Sequence, residues 1–218
     1  MDSLTHIVLG AAVGEAMLGK KIGKKGMLLG ALFHSLPDID VAANFFTDNI
    51  SAALIHRGIT HSLFFALCLS PVLVFIFSKY FTKHMLTKRQ WLKFFLITLI
   101  LHDLIDVQTS YGTELLAPFS RTRFALNNIF VADPFFTFPL LVTFIILLIF
   151  RKENSKRIFV NKAGILCSSA YLLFTFANKI HVANHVKAEL QNQNIVYSDL
   201  MTTPAPLNNF LWYIIART

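Results

Sequence analysis

The chain has 218 residues, of which 55% are hydrophobic and 15% are charged, and its mean hydropathy is +0.57. A soluble domain of this length rarely has that balance, whereas a protein that crosses a membrane several times does. The formal net charge of +8 at pH 7 would also suit nucleic acid. The basic residues are not interleaved with aromatic ones, however, so we expect no nucleic-acid partner. We predict an all-α chain that folds as a multi-pass membrane helical bundle.

Apolar segments follow one another along the chain. They cover approximately residues 4–18, 26–36, 61–80, 94–107, 133–150 and 163–180. A spanning helix needs about 20 apolar residues, so the segment 26–36 is too short to cross alone. We expect it to pair with the first segment as a short or partly buried helical hairpin. Residues 1–182 are predicted to form one membrane-embedded domain, and residues 183–218 an extracytoplasmic tail that is polar except for the apolar patch 210–215.

Three of the connections are strongly basic. They contain fourteen of the twenty Lys and Arg residues, with Glu153 as the single acid. These residues are Lys20, Lys21, Lys24 and Lys25, then Lys79, Lys83, Lys88, Arg89 and Lys93, then Arg151, Lys152, Lys156, Arg157 and Lys162. If each segment crosses the membrane or turns back within it, the three connections share one side. The positive-inside tendency predicts that this side is cytoplasmic.

Residues of the types that bind metals stand at the opposite ends of the same segments. They are His6, then His34, Asp38 and Asp40, then His56 and His61, then His102 and Asp106. Imidazole and carboxylate suit zinc and similar divalent ions, and isolated groups of this kind are costly near a membrane core. We therefore predict that these residues bind one to three divalent ions, with zinc preferred, on the extracytoplasmic side. Asp133, at the start of the fifth segment, falls on that side too.

The motifs also have simpler explanations. His102 and Asp106 are spaced i, i+4 and share a face on a helix, where they could bind an ion or hydrogen-bond each other. Asp38 and Asp40 follow a proline and also suit a helix-ending turn, which is compatible with metal binding. Asp103 lies off the face of His102, so we expect it either to support the ligands or to be solvated.

Other polar residues have open assignments. Arg57 could pair with a carboxylate or contact an anionic substrate, because a planar guanidinium fits phosphate oxygens. Glu15 lies inside the first apolar segment, where a carboxylate is a functional candidate by default, and the sequence indicates no partner for it. His181 and His185 have i, i+4 spacing but lack a nearby carboxylate motif, so we leave them out of the ligand set.

Several motifs together carry a family resemblance. The chain resembles the YdjM-type family of bacterial membrane-bound metal-dependent hydrolases in M-D-S-L-T-H, L-P-D-I-D, H-R-G-I-T-H-S, H-D-L-I-D and Y-G-T-E-L-L-A-P, all within residues 1–140. That family is similar at a distance to zinc-dependent phospholipase C and P1-type nucleases, which are all-helical phosphodiesterases. The resemblance implies metal-dependent hydrolysis of a phosphoester. It leaves open whether residues 183–218 are a short or truncated form of a longer tail.

The ligand set indicates how such a site would act. Bound divalent ions polarise a phosphoryl oxygen and activate water. Asp38, Asp40 or Asp106 could bridge the ions or orient the attacking water, while Arg57 would counter charge developing on the phosphate. A site at the outer bilayer surface favours a lipid or lipid-linked phosphoester, with membrane lipids as partners. The alternatives are a transporter, whose polar groups would more often lie near the midplane, and a non-catalytic metal-binding membrane protein.

Overall fold

In a computed structural model of the chain, residues 1–48, 56–80 and 86–218 are described. Their α-helices are α1 (Ser3–Ile22), α2 (Lys24–His34), α3 (Leu63–Tyr80), α4 (Lys88–Val107), α5 (Pro134–Ile149) and α6 (Lys156–Asn192). Two 3-10 helices, Pro37–Phe45 and Ile59–His61, lie between α2 and α3. The strands β1 (Asp199–Pro204) and β2 (Trp212–Arg217) form an antiparallel hairpin. Each apolar segment of the sequence is a helix, and the fold is mostly helical as predicted.

Local capping explains where the helices begin. The Asp2 side chain accepts the backbone N–H of Thr5 at the start of α1. Thr87 and Gln90 form a reciprocal capping box, so α4 begins at Lys88 rather than at the first apolar residue near 94. The last helix exceeds the predicted segment 163–180 at both ends. Apolar runs therefore locate the helices, while their ends depend on polar residues outside those runs.

Glycines hold α1 and α2 in close contact. A Cβ atom at Gly10 would collide with the carbonyl oxygen of Gly30, and one at Gly14 with that of Gly26. Small residues at matching positions allow two helix backbones to approach closely, a device common in membrane helices. These contacts build the predicted helical hairpin. They also fix its register, because neither helix can slide without placing a side chain against the other backbone.

The basic connections gather at one end of the bundle. The Lys21 ammonium donates to the Gln90 side chain, 2.8 Å away, near the start of α4. The aliphatic stem of Lys152 passes Gly23, between α1 and α2. Lys83, which we placed in the second basic connection, lies outside the described residues. At the other end of α1, the Asp2 N–H donates to a backbone carbonyl just before α5.

Arg157 differs from the other basic residues, because it is 2% exposed rather than part of a solvated connection. Its Nε and Nη2 donate to the two carboxylate oxygens of Glu15 at 2.9 and 2.6 Å. Its Nη1 donates to the carbonyls of Leu147 and Phe150, both at 2.8 Å. Glu15 therefore has a partner that sequence reasoning did not find, and the pair ties α1 to α5 and α6.

Apolar side chains cover much of the outer surface. Exposed examples on α3, α5 and α6 are Leu67, Phe75, Phe138, Ile149, Leu166 and Leu173. Within the described residues, α6 is the helix long and apolar enough to cross a membrane by length and composition. The apolar stretch Leu63–Lys79 and helix α5 are shorter. The multi-pass arrangement therefore stays a prediction.

The C-terminal residues depart from the predicted all-α chain. Strands β1 and β2 pair in the register Asp199↔Arg217 to Pro204↔Trp212. Asn178 of α6 donates to the Asn209 carbonyl at 2.6 Å, and Lys179 donates to the Thr202 carbonyl at 3.0 Å. The tail is thus folded against α6.

Candidate metal centre

The register of the α1–α2 hairpin brings two histidines together. His6 lies one turn before Gly10, and His34 lies one turn after Gly30, so the glycine contact places the histidines at the same end. Their ring centres are 5.3 Å apart. The His34 Nδ1–H donates to the Thr98 carbonyl of α4 at 2.8 Å, which leaves Nε2 with its lone pair. Metal-binding histidines are commonly oriented by such a bond at the other ring nitrogen.

Helix α4 supplies the next two residues from a single face, as their spacing predicts. The His102 ring stacks on the His6 ring with centres 3.9 Å apart. Asp106 Oδ1 lies 3.2 Å from His6 Nε2, and it also accepts from the amino group of Met1. Asp106 Oδ2 lies 3.7 Å from His102 Nε2. All three side chains are fully buried, so these polar groups are removed from water.

The 3-10 helix Pro37–Phe45 presents two carboxylates to the same region. Asp38 Oδ1 lies 3.3 Å from His61 Nε2 and 3.7 Å from His102 Nε2. Asp40 accepts hydrogen bonds from His56 Nδ1 and from the Thr60 hydroxyl, both at 2.8 Å. The turn that we expected after Pro37 therefore exists. It places the two carboxylates on either side of the His61 ring.

The carboxylates set the charge on this side of the cluster. Burial alone would lower the pKa of His61, but hydrogen bonds to Asp38 and Asp40 raise that pKa to about 9. Burial alone would raise the pKa of Asp40, but hydrogen bonds from His56 and His61 hold it well below its usual range. The environment thus favours positive charge between the carboxylates. A divalent cation would supply such charge and displace the imidazole proton.

Arg57 is held in a strained and buried position. Its φ is +63°, a left-handed conformation that costs a non-glycine residue energy and is often found at functional sites. The guanidinium Nη1 donates to Thr109 at 2.8 Å, and Nε lies 3.4 Å from Asp106 Oδ2. The guanidinium carbon lies 5.3 Å from the centre of the Tyr111 ring. Of the two roles that the sequence left open, the structure contains the carboxylate contact, and the substrate role remains a proposal.

Among the residues that the structure describes, three overlapping groups could hold a metal ion. Within each group, the ligand atoms lie within 4.8 Å of one another. The groups are His6, His34 and His102; His6, Asp38, His102 and Asp106; and Asp38, Asp40, His56 and His61. The structure therefore brings together all the residues that we predicted as metal ligands. Asp38 belongs to two of the groups and joins the α4 side of the cluster to the 3-10 side.

The residues in the first two groups fit a bound metal. Five buried atoms in these groups have no hydrogen-bond partner within residues 1–48, 56–80 and 86–218: His6 Nδ1, His34 Nε2, both ring nitrogens of His102 and Asp106 Oδ2. Leaving a buried polar atom unpaired costs about 1–3 kcal/mol. A lone pair on imidazole nitrogen or carboxylate oxygen is satisfied by a divalent cation. The unpaired atoms converge from three helices, which is what a metal site requires.

We also considered Asp103, Asp133, His181 and His185 from the sequence, and these residues lie outside the groups. Asp103 is 1% exposed, so our expectation that it could be solvated is wrong. No described residue forms a hydrogen bond with either of its carboxylate oxygens. Asp133 lies at the expected end but accepts the N–H groups that begin α5 and the Tyr171 hydroxyl at 2.9 Å. His181 and His185 are exposed on α6.

Sequence reasoning missed the residues that orient the ligands. The Thr98 carbonyl and the Thr60 hydroxyl are examples, as is Thr109, whose hydroxyl holds Arg57. Nothing in the sequence distinguishes a backbone carbonyl that accepts from a histidine. Thr109 lies three residues after Asp106, on the next turn beyond H-D-L-I-D, so extending that motif by one turn would have found it.

Comparison with known proteins identifies the family. A sequence profile described as YdjM inner membrane protein matches residues 1–182. The chain belongs to the YdjM family. This assignment supports a membrane location, and the matched range contains every residue of the candidate metal centre. No significant match is found among solved structures.

Two curated relatives give further matches to this YdjM chain. It is 31% identical over 146 residues to the uncharacterized protein YfhP of Bacillus subtilis (strain 168), covering 62% of this chain and 42% of YfhP. It is 32% identical over 123 residues to the inner membrane protein YbcI of Escherichia coli (strain K12), covering 56% of this chain and 69% of YbcI. The chain thus spans less than half the length of YfhP. Neither relative's name states a reaction.

Proposed function

We propose that this YdjM-family chain is a membrane-bound, metal-dependent hydrolase of phosphoesters, acting on lipid or lipid-linked substrates. The observation that carries the proposal is the set of unpaired, buried ligand atoms on His6, His34, His102 and Asp106, next to a buried arginine. A purely structural polar cluster would be expected to satisfy its own hydrogen bonds. An arginine is the side chain best suited to a phosphate.

Metal ions would be held by the three groups described above. Zinc is the preferred ion because nitrogen and carboxylate ligands at this spacing match its usual coordination. Bound ions would polarise a phosphoryl oxygen and lower the pKa of water. Asp38 is the member shared by the second and third groups, and a carboxylate has two oxygens to offer, so it is the residue best placed to link two ions. The sequence resemblance implies a distant similarity of the family to zinc-dependent phospholipase C and P1-type nucleases, and the proposed chemistry is the one that this similarity would imply.

The chain's own residues would perform the other tasks. Arg57 would counter the charge that develops on the phosphate, with its guanidinium positioned by Thr109. Asp40 holds His56 and His61 in place through hydrogen bonds at 2.8 and 3.1 Å. Asp106 would orient an attacking water or bridge two ions. The burial of the cluster excludes bulk water and strengthens each of these electrostatic contributions.

The decisive experiment combines metal content with hydrolysis. Purified protein should contain zinc by elemental analysis and should hydrolyse bis(p-nitrophenyl) phosphate. In His102→Ala the zinc content should be reduced and hydrolysis should be lost. His181→Ala is the matched control, since His181 is an exposed histidine on α6 and should leave both unchanged. Bound metal without hydrolysis would favour the non-catalytic alternative. Absence of metal from the folded protein would overturn the proposal.

The site is further proposed to face the extracytoplasmic side. The cluster lies at the end of α1 opposite to Lys20 and Lys21, and basic residues tend to stay on the cytoplasmic side. Cys68 and Cys167 are free and exposed, so both are first replaced by alanine. Two single cysteines then test the orientation. Phe46→Cys should react with a membrane-impermeant thiol reagent in intact cells, and Ser155→Cys should not. The reverse pattern would place the site in the cytoplasm.

A further inference from the structure

An open-sided apolar groove begins at the metal cluster. It lies between the start of α1, the end of α2 and the 3-10 helix, and its volume is about 580 Å³. Its lining includes Ile7, Ala31, Leu32, Leu36 and Ile39, with Asp38 among them. Sites for small molecules are typically about 300–1,000 Å³ and mostly apolar, with a few polar groups that fix orientation. The groove has this composition.

Asp38 connects the groove to the cluster. Its carboxylate is 19% exposed, whereas those of Asp40 and Asp106 are 4% and 0% exposed. The same carboxylate approaches His61 and His102 and belongs to two of the candidate metal groups. The groove therefore has a polar end, where bound cations would attract an anion, and an apolar remainder.

We propose that the groove between α1 and α2 holds one aliphatic chain of a lipid phosphoester, whose phosphate lies at the Asp38 end. This inference rests on the proposed function and specifies its substrate. A ligand that fills both parts must be anionic at one end and aliphatic along its length. A lipid phosphoester has that polarity, and the membrane location of the family supplies lipid at the open side of the groove.

The walls of the groove are continuous with the apolar outer surface. Leu32 and Ile39 are 60% and 62% exposed, and Leu28 and Leu4 continue the apolar surface along α2 and α1. A lipid chain could therefore enter sideways from the bilayer without crossing a polar rim. Each methylene that leaves water contributes about 0.8 kcal/mol. A groove used in this way makes long-chain esters better substrates than short-chain esters with the same reacting group.

The test compares two p-nitrophenyl phosphodiesters that carry a hexadecyl or a methyl group, presented in the same mixed micelles. The wild-type protein should show a kcat/KM at least about tenfold higher for the hexadecyl ester, an increase that about two well-buried methylenes would supply. Leu32→Trp fills the groove and should reduce that ratio at least about fivefold. Leu28→Trp, one turn earlier and equally exposed but outside the groove, should retain the wild-type ratio.

The outcomes separate this inference from the proposed function. The groove assignment would be overturned by equal kcat/KM values for the two esters in the wild type, or by a ratio that Leu32→Trp leaves unchanged. In either case, hydrolysis of the methyl ester would still support the proposed function. If neither ester is hydrolysed, the proposed function fails. Binding of an aliphatic chain in the groove is then tested by photocrosslinking with hexadecyl phosphate that carries a terminal diazirine. Labelling of residues 31–39 that is lost in Leu32→Trp but kept in Leu28→Trp supports the inference, and equal labelling of the two variants overturns it.

Discussion

Two buried polar clusters lie at opposite ends of α1 and differ in how well their atoms are paired. At the basic end, Arg157 uses Nε, Nη1 and Nη2 to donate to the Glu15 carboxylate and to two backbone carbonyls. At the other end, His102 has two buried ring nitrogens without hydrogen-bond partners in the described part of the chain, and His34 has one. Both clusters are removed from water. Only the first is complete in the described residues of the chain alone.

This difference indicates different roles. Buried polar groups in native proteins are nearly always paired, and a partly satisfied network is costly. A complete pair such as Glu15–Arg157 needs no ligand, and its position between α1, α5 and α6 indicates that it holds the helices together. The cluster of imidazoles and carboxylates is incomplete among the described residues, and a bound metal ion would supply the missing partners. The variants below test whether stability and metal binding separate in this way.

The largest effect is expected from breaking the complete pair. Arg157→Ala leaves the Glu15 carboxylate buried without its partner, and removal of one member of a buried ion pair typically costs about 3–5 kcal/mol of unfolding free energy. The midpoint of thermal unfolding in detergent should fall accordingly. Lys156→Ala, at the exposed neighbouring position, is the control and should change little.

The folded fraction of Arg157→Ala should still bind metal in the wild-type ratio. The paired apolar replacement Glu15→Leu/Arg157→Met should recover much of the lost stability, since it removes both charges. If Arg157→Ala were as stable as the control, the complete pair would not be a structural contact. If the variant lost metal while remaining folded, the two ends would not be independent.

The next effect concerns Arg57 at the incomplete cluster. Arg57→Ala should lower kcat about 10²–10³-fold, the usual loss when a group that stabilises transition-state charge is removed. Metal content should stay near that of the wild type, because Arg57 is not a ligand. Arg57→Lys should recover part of the activity, since it keeps the charge and loses the planar fork. Loss of metal together with instability in Arg57→Ala would instead identify its contact with Asp106 as a structural ion pair.

Sequence reasoning found the polar residues of the incomplete cluster more readily than those of the complete pair. The ligand types recur in short motifs at the ends of apolar segments, so spacing and polarity were enough to place them together. Glu15 and Arg157 are separated by 142 positions, and Arg157 lies in a basic run that looks like a solvated connection. No local pattern distinguishes the one buried member of such a run.

Three details of the fold could not be predicted from sequence, because they too depend on contacts between distant residues or on residues outside the apolar runs. Helix α6 continues to Asn192 because polar residues after 180 are compatible with a helix that leaves the apolar region. The hairpin of β1 and β2 depends on long-range pairing between Asp199 and Arg217 and on contacts with α6. The burial of Asp103 depends on the packing around α4, whereas its helical angle indicated only that it does not share the face of His102.

Metal removal should destabilise the protein by an intermediate amount. An ion that binds only the folded form contributes about 2.7 kcal/mol when its free concentration is 100 times Kd. Chelation should therefore lower the melting temperature of the wild type, and His102→Ala should show reduced metal content and little chelator effect. Asp103→Asn is the control on the same helix and should keep its metal. If Asp103→Asn lost metal while His102→Ala kept it, the assignment of the α4 face would be wrong.

The smallest effect is expected at the edge of the cluster, where Asp40 is held by several donors. Thr60→Val removes the hydroxyl that donates to Asp40 Oδ2 at 2.8 Å, while the bonds from His56 and from the Arg57 N–H remain. Loss of one such bond costs about 0.5–1.5 kcal/mol, so metal affinity should fall by no more than about tenfold. Thr47→Val makes the same chemical change at a hydroxyl that bonds the Ala43 carbonyl, and it should leave affinity unchanged. A titration of zinc against a chromophoric chelator measures both variants. If Thr60→Val lost as much zinc affinity as His102→Ala, the position of Asp40 would depend on Thr60 alone. If Thr60→Val and Thr47→Val had equal zinc affinities, Asp40 would take no part in binding.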